Sequence, residues 1–343
     1  RGARRGRPSS GRPAMSGTRM IGAALLPGLI VAAVFAPALT PHGPLSQFTD
    51  YENAPPMRPH VIASDGTVVW PYVRPLKLID RLERRFDATG DEVPIRLFKD
   101  GVLLSIDESR GPWFPLGTDP LGRDVFSRLL FGARLSLSVA FVASLGALLI
   151  GVAVGGVAGF AGGRPETMLM AIADFVLVLP AIYVVLALRA AMPLVLSVPQ
   201  VFWTLSVVLA AAGWPLVARG VRGIIAAERE KEYVEAAYSM GAAPSRILLR
   251  HLVPACTGFL LSIETMLVPA FVISEGTLTL VGLGFPVPSA SWGAMLRDAW
   301  QGAAFSDAPW LMAPAAAVAV TVLVMQLLGS RDAAETVSPR QTV

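Results

Sequence analysis

The sequence predicts an all-α integral membrane protein of about six transmembrane helices, with a small α+β extracytoplasmic insertion between the first two. Three observations carry that expectation. First, 53% of the residues are hydrophobic and only 16% are charged, where a soluble domain carries roughly 25% charged residues; the mean hydropathy is +0.57. Second, the apolar residues cluster into runs at about 21–39, 136–160, 168–188, 201–218, 256–275 and 310–329, close to the ~20 residues needed to cross a bilayer. Third, positive charge gathers at alternate ends of those runs, as it does where loops stay on the cytoplasmic side.

The basic tail at 1–19 carries Arg1, Arg4, Arg5, Arg7, Arg12 and Arg19 ahead of the first span at 20–39. The apolar run is too long for a signal peptide and no small-residue cleavage site follows it, so a retained anchor is expected. The sequence pI of 9.6 is then an orientation signal, and nucleic acid is not an expected partner. Pro27 and Pro37 interrupt this span, Pro180 the third, Pro215 the fourth and Pro269 the fifth. Neighbouring helices can satisfy the carbonyls that these prolines free.

Residues 40–134 form the long extracytoplasmic segment. Its many basic residues do not conflict with that side, because long segments translocate largely regardless of charge. Between 58 and 105, short β-favouring runs such as Val68-Val69-Trp70 alternate with charged ones such as Asp80 to Arg85. A small α+β cap without a large core of its own is expected there. Next, Thr118 or Asp119 can cap a helix with Pro120 at its first position. Leu121, Val125 and Leu129 would line one face of that interfacial helix. A calcium loop is excluded, because Leu121 and Arg123 fall where oxygen ligands are needed.

The five-helix core is expected at 135–329. Gly151, Gly155, Gly159 and Gly163 recur at every fourth residue of the second span, a spacing that lets helices approach closely in lipid. The connections at 161–167 and 219–254 carry the arginines expected of the cytoplasmic side, including Arg164, Arg219, Arg222, Arg229, Arg246 and Arg250. With six spans, the tail at 330–343 returns to the cytoplasm, so both termini lie there.

Chemistry-bearing residues are sparse. Asp174, Glu264 and Glu275 fall within or at the ends of spans, where acidic groups are costly. They are candidates for a polar translocation pathway, against the plainer alternative of caps and structural hydrogen bonds. The lone Cys256 can form no internal disulfide, and His42, His60 and His251 show no paired spacing, so no metal or cofactor is expected. Lys77, Lys99 and Lys231 are the three lysines and none follows a glycine; there is no phosphate-binding G-x-x-x-x-G-K loop. Neither a nucleophile elbow nor a zinc motif appears, so an enzyme is not expected.

The most distinctive stretch is Glu235-Ala236-Ala237-Tyr238-Ser239-Met240-Gly241, with Pro254 thirteen residues beyond the glycine. Glycine tolerates the left-handed conformation that ends helices, and Pro244 can open a second short helix. A compact helix–turn–helix with a small-residue surface results, suited to docking into a groove on another protein. The alternative is an alanine-rich amphipathic surface helix.

Four segments together resemble one family. Tyr233 to Pro254 resembles the EAA loop of ABC-transporter permeases, with His251 in its Ile slot and Val253 in its Leu slot. Phe35 to His42 resembles the exit from the first span in the dipeptide/oligopeptide/nickel importers. Leu116 to Arg134 resembles their Leu-Gly-Thr-Asp-x-x-Gly-Arg-Asp segment. Glu275 to Gly284, followed by Pro288 and Trp292-Gly293, resembles their signature after the fifth span. The chain is similar to the second, C-type permease subunit over most of its length after Met20.

That resemblance implies a bacterial inner-membrane importer. Its partners would be a second permease subunit, two ATPase subunits, an extracytoplasmic solute-binding protein and membrane lipid. Glu235, Ala236, Ala237, Gly241 and Pro254 would couple the permease to the ATPase, and alternating access would be the mechanism. Di- or oligopeptides are the implied substrates. The alternatives are another solute, such as nickel, a sugar or a peptide-like compound, or a polytopic membrane enzyme or scaffold.

Overall fold

A computed structural model describes residues 17–62, 67–80, 84–88, 91–99, 101–179, 196–301 and 307–329. The basic residues before 17 and the tail from 330 lie outside these, as does the predicted third span beyond Leu179. The helices are α1 (Gly17–Val34), α2 (Val125–Ala161), α3 (Gly163–Val178), α4 (Val198–Glu228), α5 (Glu232–Ser239), α6 (Thr257–Leu280), α7 (Trp292–Gln301) and α8 (Ala313–Gly329). Among the described residues, five helical segments are long and apolar enough to cross a membrane: α1, α2, α4, α6, and α8 with the turn that precedes it. The described part of the third span, α3, runs for 16 residues.

The insertion is built of strands. A three-stranded antiparallel sheet, ordered β1-β2-β5, joins β1 (His60–Ile62), β2 (Val68–Val73) and β5 (Val93–Pro94). Two hairpins complete it: β3 (Lys77–Asp80) with β4 (Arg85–Asp87), and β6 (Arg96–Lys99) with β7 (Val102–Ser105). Among the described residues its helical part is a single 3-10 turn, Glu108–Arg110. Val73, Val93, Ile95, Trp113 and Phe114 are buried in a cluster separate from the helical core. The segment is thus a small β cap with a small core, as short β-favouring runs between turn signals allow.

The interfacial helix predicted from Pro120 does not form. The carboxylate of Asp119 is occupied by the loop itself, accepting from the N–H groups of Leu121 at 2.9 Å and Arg123 at 3.0 Å. Gly122 takes φ +69° and its carbonyl accepts a backbone hydrogen bond from the Phe48 N–H. The cap is Asp124, which accepts from Phe126 and Ser127. Residues 125–134 are therefore the first turns of α2, a helix of 37 residues.

The glycine stripe closes α2 onto α4. A Cβ on Gly151 would stand 3.0 Å from the carbonyl oxygen of Trp214, and one on Gly159 would stand 2.7 Å from that of Arg222. Gly155 meets the backbone of Ala218. Gly163 does not extend the seam: with Gly162 it takes a positive φ, 59° and 66°, and breaks the chain between α2 and α3. Pro215 and Pro269 lie inside α4 and α6 and are buried there without ending either helix.

Candidate functional site: the loop between α4 and α6

Three contacts hold the base of this loop. Arg229 donates through Nη1 to the carbonyls of Gly159 and Phe160, each at 3.2 Å, which ties the end of α4 to the end of α2. Lys231 pairs with Glu228. The Tyr233 hydroxyl donates to the same carboxylate at 2.8 Å. Desolvation first, and then that hydrogen bond, holds the Tyr233 phenol above its usual range.

From this base α5 projects with two faces. Val234 and Ala237 are buried, packing with Ile247, Leu252 and Cys256 in the helical core. Glu235 and Ala236 are exposed, as are Tyr238 and Met240. Tyr238 stacks on Phe160, ring centroids 6.5 Å apart. Ala236 is the small residue on an outer face that otherwise carries the larger Glu235, Tyr238 and Met240.

The helix ends in a paired motif. Ala242 N–H donates to Ala237 at 3.1 Å, and Gly241 N–H to Tyr238 at 2.9 Å. These are the two bonds of a Schellman turn, which needs a left-handed residue; Gly241 supplies it at φ +80°. The chain then returns through the turn Pro244–Ile247, a π turn over Leu248–Leu252, and Val253–Ala255, before α6. Pro254 is exposed near the end of that return. The sequence-predicted residues Glu235, Ala236, Ala237 and Gly241 therefore form one helix and turn, with Pro254 on the segment that closes the loop.

The three intramembrane acids go to three different settings. Asp174 on α3 pairs with Arg219 on α4, whose Nε lies 3.1 Å away, and both side chains stay about half-exposed. One turn further along α4, Arg222 pairs with Glu166. Glu264 borders a cavity and accepts from Ser144 at 2.6 Å. Glu275 is fully buried. It accepts from Ser136 at 2.8 Å and Thr279 at 3.0 Å.

A fourth cluster escaped the sequence. Arg123 and Arg128, each 2% exposed, sit between Asp119 and Asp298. Arg123 Nε donates to Asp119 at 2.7 Å and its Nη2 to Asp298 at 2.8 Å. Arg128 contacts both carboxylates. The four side chains clasp the start of α2 to α7. The Asp-x-x-Gly-Arg-Asp run signalled half of it; Asp298 lies 175 residues from Arg123 and carries no local signal.

Comparisons with known proteins place the chain in a family. Residues 147–331 match the family described as "Binding-protein-dependent transport system inner membrane component". The oligopeptide transport system permease protein OppC of Bacillus subtilis (strain 168) is 37% identical over 67% of this chain and 74% of its own length. The dipeptide transport system permease protein DppC of the same organism is 38% identical over 66% of this chain and 68% of its own. A putative peptide permease of Brucella suis biovar 1 is 34% identical over 64% and 72%. A solved structure of the MetNI methionine ABC transporter, inward facing, gives a TM-score of 0.47 at 20% identity, covering 59% of this chain and 92% of that one. The chain belongs to the family of binding-protein-dependent transport system inner membrane components, and is a multi-pass membrane permease.

Proposed function

We propose that this chain is the second permease subunit of an ATP-driven importer for di- or oligopeptides. It forms half of the translocation pathway beside a partner permease. An extracytoplasmic solute-binding protein delivers substrate, and two ATPase subunits dock on the loop between α4 and α6. The relatives named for oligopeptide and dipeptide transport support the substrate class. The carrying observation is the loop geometry: a helix with exposed Glu235 and Ala236 ends in a Schellman turn at Gly241 and stacks Tyr238 on Phe160 at the end of α2, where Arg229 also ties in the end of α4. Movement imposed on α5 by an ATPase is thereby passed to α4 and α2 as one body. ATP hydrolysis itself belongs to the partner subunits, since no G-x-x-x-x-G-K loop exists in the chain.

The loop and both termini face the cytoplasm in this reading, and the β cap faces the other way. Two experiments test it. A complex isolated through this chain and reconstituted in liposomes should take up labelled di- and tripeptides only with ATP and the binding protein. Single cysteines at 91 or 235, with Cys256 replaced, should react with an impermeant reagent in intact cells at 91 and not at 235. Uptake without ATP, or the reverse labelling pattern, would overturn it.

A further inference from the structure

Between α1, α2, α6 and α8 lies an open cavity of about 590 Å³. Its walls are mostly apolar, with Leu26, Ile30, Phe141 and Val268 among them, and two charged side chains interrupt them, Glu264 and Arg134. The volume lies within the roughly 300–1,000 Å³ of ordinary ligand pockets.

Glu264 stands deep in the bundle. Its partner Ser144 lies eight residues into the apolar run that starts at 136, or about 12 Å along the helix axis, near the middle of a ~30 Å hydrocarbon core. One carboxylate oxygen meets Ser144; the other, Oε2, is buried without a hydrogen-bond partner among the described residues. A carboxylate at that depth is costly unless a cation or proton shares it. Arg134 lies at the opposite end of the cavity, ten residues before Ser144 on α2, hence about 15 Å away along the helix. It stacks over Phe131 at 5.9 Å and forms no ion pair among the described residues. The cavity therefore offers a free acceptor at one end and a free cation at the other.

We propose that this cavity is a station for a short extended peptide, with its ammonium end at Glu264 and its carboxylate end toward Arg134. The proposal rests on the peptide-importer reading given above. An extended chain covers about 3.3–3.6 Å per residue, so ~15 Å accommodates about four to five residues. The apolar walls receive side chains, and the opposed charges match a zwitterion in one direction only. A phospholipid fits less well. Its phosphate satisfies Arg134, but its acyl chain then lies against the open oxygen of Glu264 and leaves that group unpaired.

The test uses the whole complex, with binding protein and ATPases, in liposomes. The probes are tetra-alanine carrying a photoreactive phenylalanine in place of either its first or its last residue. Crosslinks from the first-residue probe should map to α6 around position 264, and those from the last-residue probe to α2 around 134. Losing a charge-assisted hydrogen bond in Glu264→Gln should lower the first-residue crosslink roughly tenfold or more. Membrane abundance and the ATPase response to loaded binding protein should persist. Identical crosslinks from both probes, or a Glu264→Gln pattern unchanged from the parent, would overturn the station while peptide uptake continued. Retention of a phospholipid that Arg134→Gln releases, with peptide crosslinks absent from the cavity, would overturn it in favour of lipid. A parent complex that takes up no peptide at all would remove the importer reading itself, which is a separate result.

Discussion

Ser136 and Glu275, 139 residues apart in the chain, meet inside the bundle with Ser136 Oγ donating to Glu275 Oε2 at 2.8 Å. The same hydroxyl accepts from the Trp292 N–H at 3.1 Å. Thr279 holds the other carboxyl oxygen. One buried carboxyl thus joins α2, α6 and the start of α7. Glu275→Ala should lower stability by several kcal/mol, because it strands buried hydroxyl donors at about 1–3 kcal/mol each. Glu275→Gln keeps an acceptor for Ser136 and should cost less. Melting temperatures in detergent check the order. Transport per folded molecule that falls in Glu275→Gln with stability unchanged would assign it a pathway role.

The clasp of Asp119, Arg123, Arg128 and Asp298 makes a second prediction. Two guanidinium groups at 2% exposure depend on two carboxylates. Removing one member of a buried pair leaves an uncompensated charge and typically costs about 3–5 kcal/mol. Asp119→Ala should therefore be poorly accumulated, more so than Glu92→Ala, which removes an exposed partner of Arg74 worth about 0–1 kcal/mol. Quantitative blotting of membranes and thermal unfolding decide it. Equal behaviour of the two variants would show that the clasp adds nothing.

Asp124 gives a pH signature. Burial raises its carboxyl to about 6, against the lowering effect of its hydrogen bonds to Ser127 and Phe126. The folded-state value lies above the unfolded one near 3.8. Between those values the folded state binds more protons, so this group's contribution to stability falls as pH rises from about 4 to 6. Asn at this position stays neutral throughout. The stability of the parent relative to Asp124→Asn should thus decline by on the order of 2 kcal/mol between pH 4 and pH 7. Parallel melting curves of the two proteins over that range, with no change in their separation, would refute the shift.

Much of this architecture was legible in the chain, and the misses have physical reasons. The apolar runs announced α1, α2, α4, α6 and α8 because span length is fixed by bilayer thickness. The turn at Gly241 was legible because left-handed backbone selects glycine. The cap of α2 was misplaced by five residues from Asp119. Local capping rules allow Asp119, Thr118 and Asp124 alike, and the choice was made by Arg123 and Arg128, whose guanidinium groups claim the Asp119 carboxylate. Glu275 and Glu264 look alike in sequence, both acids in one apolar helix. Their difference, full satisfaction against an open oxygen, is set by Ser136 and Ser144 on another helix.

The α2–α4 seam predicts an asymmetry between glycines. At Gly155 an added Cβ would stand 2.9 Å from the Ala218 Cα, closer than packed atoms tolerate, so Gly155→Ala must push the two helices apart. Overpacking of this kind costs about 1–3 kcal/mol. At Gly223, on the far side of α4, nothing lies within 4 Å, and Ala there gains up to about 1 kcal/mol of helix propensity. Melting temperatures should move in opposite directions. A tolerated Gly155→Ala would mean that the seam is looser than the backbone contact shows.

Gly241 separates coupling from folding. Nothing lies within 4 Å of its would-be Cβ, so a side chain there meets no clash and the whole cost comes from φ +80°. A left-handed residue other than glycine costs roughly 1–2 kcal/mol, least for Asn and most for β-branched residues. The strain falls on the loop, whose Schellman turn lies beyond the core packing of α2 and α4. Gly241→Asn should therefore keep both ATPase retention and uptake near parental levels. Gly241→Val should distort α5 relative to its return segment, lose retention and uptake together, and leave membrane abundance unchanged. Pull-down of ATPase subunits, uptake and abundance are measured side by side for both variants. Normal retention and uptake in Gly241→Val would reduce α5 to an ordinary surface helix and leave the docking surface to be sought elsewhere on the loop face of the bundle.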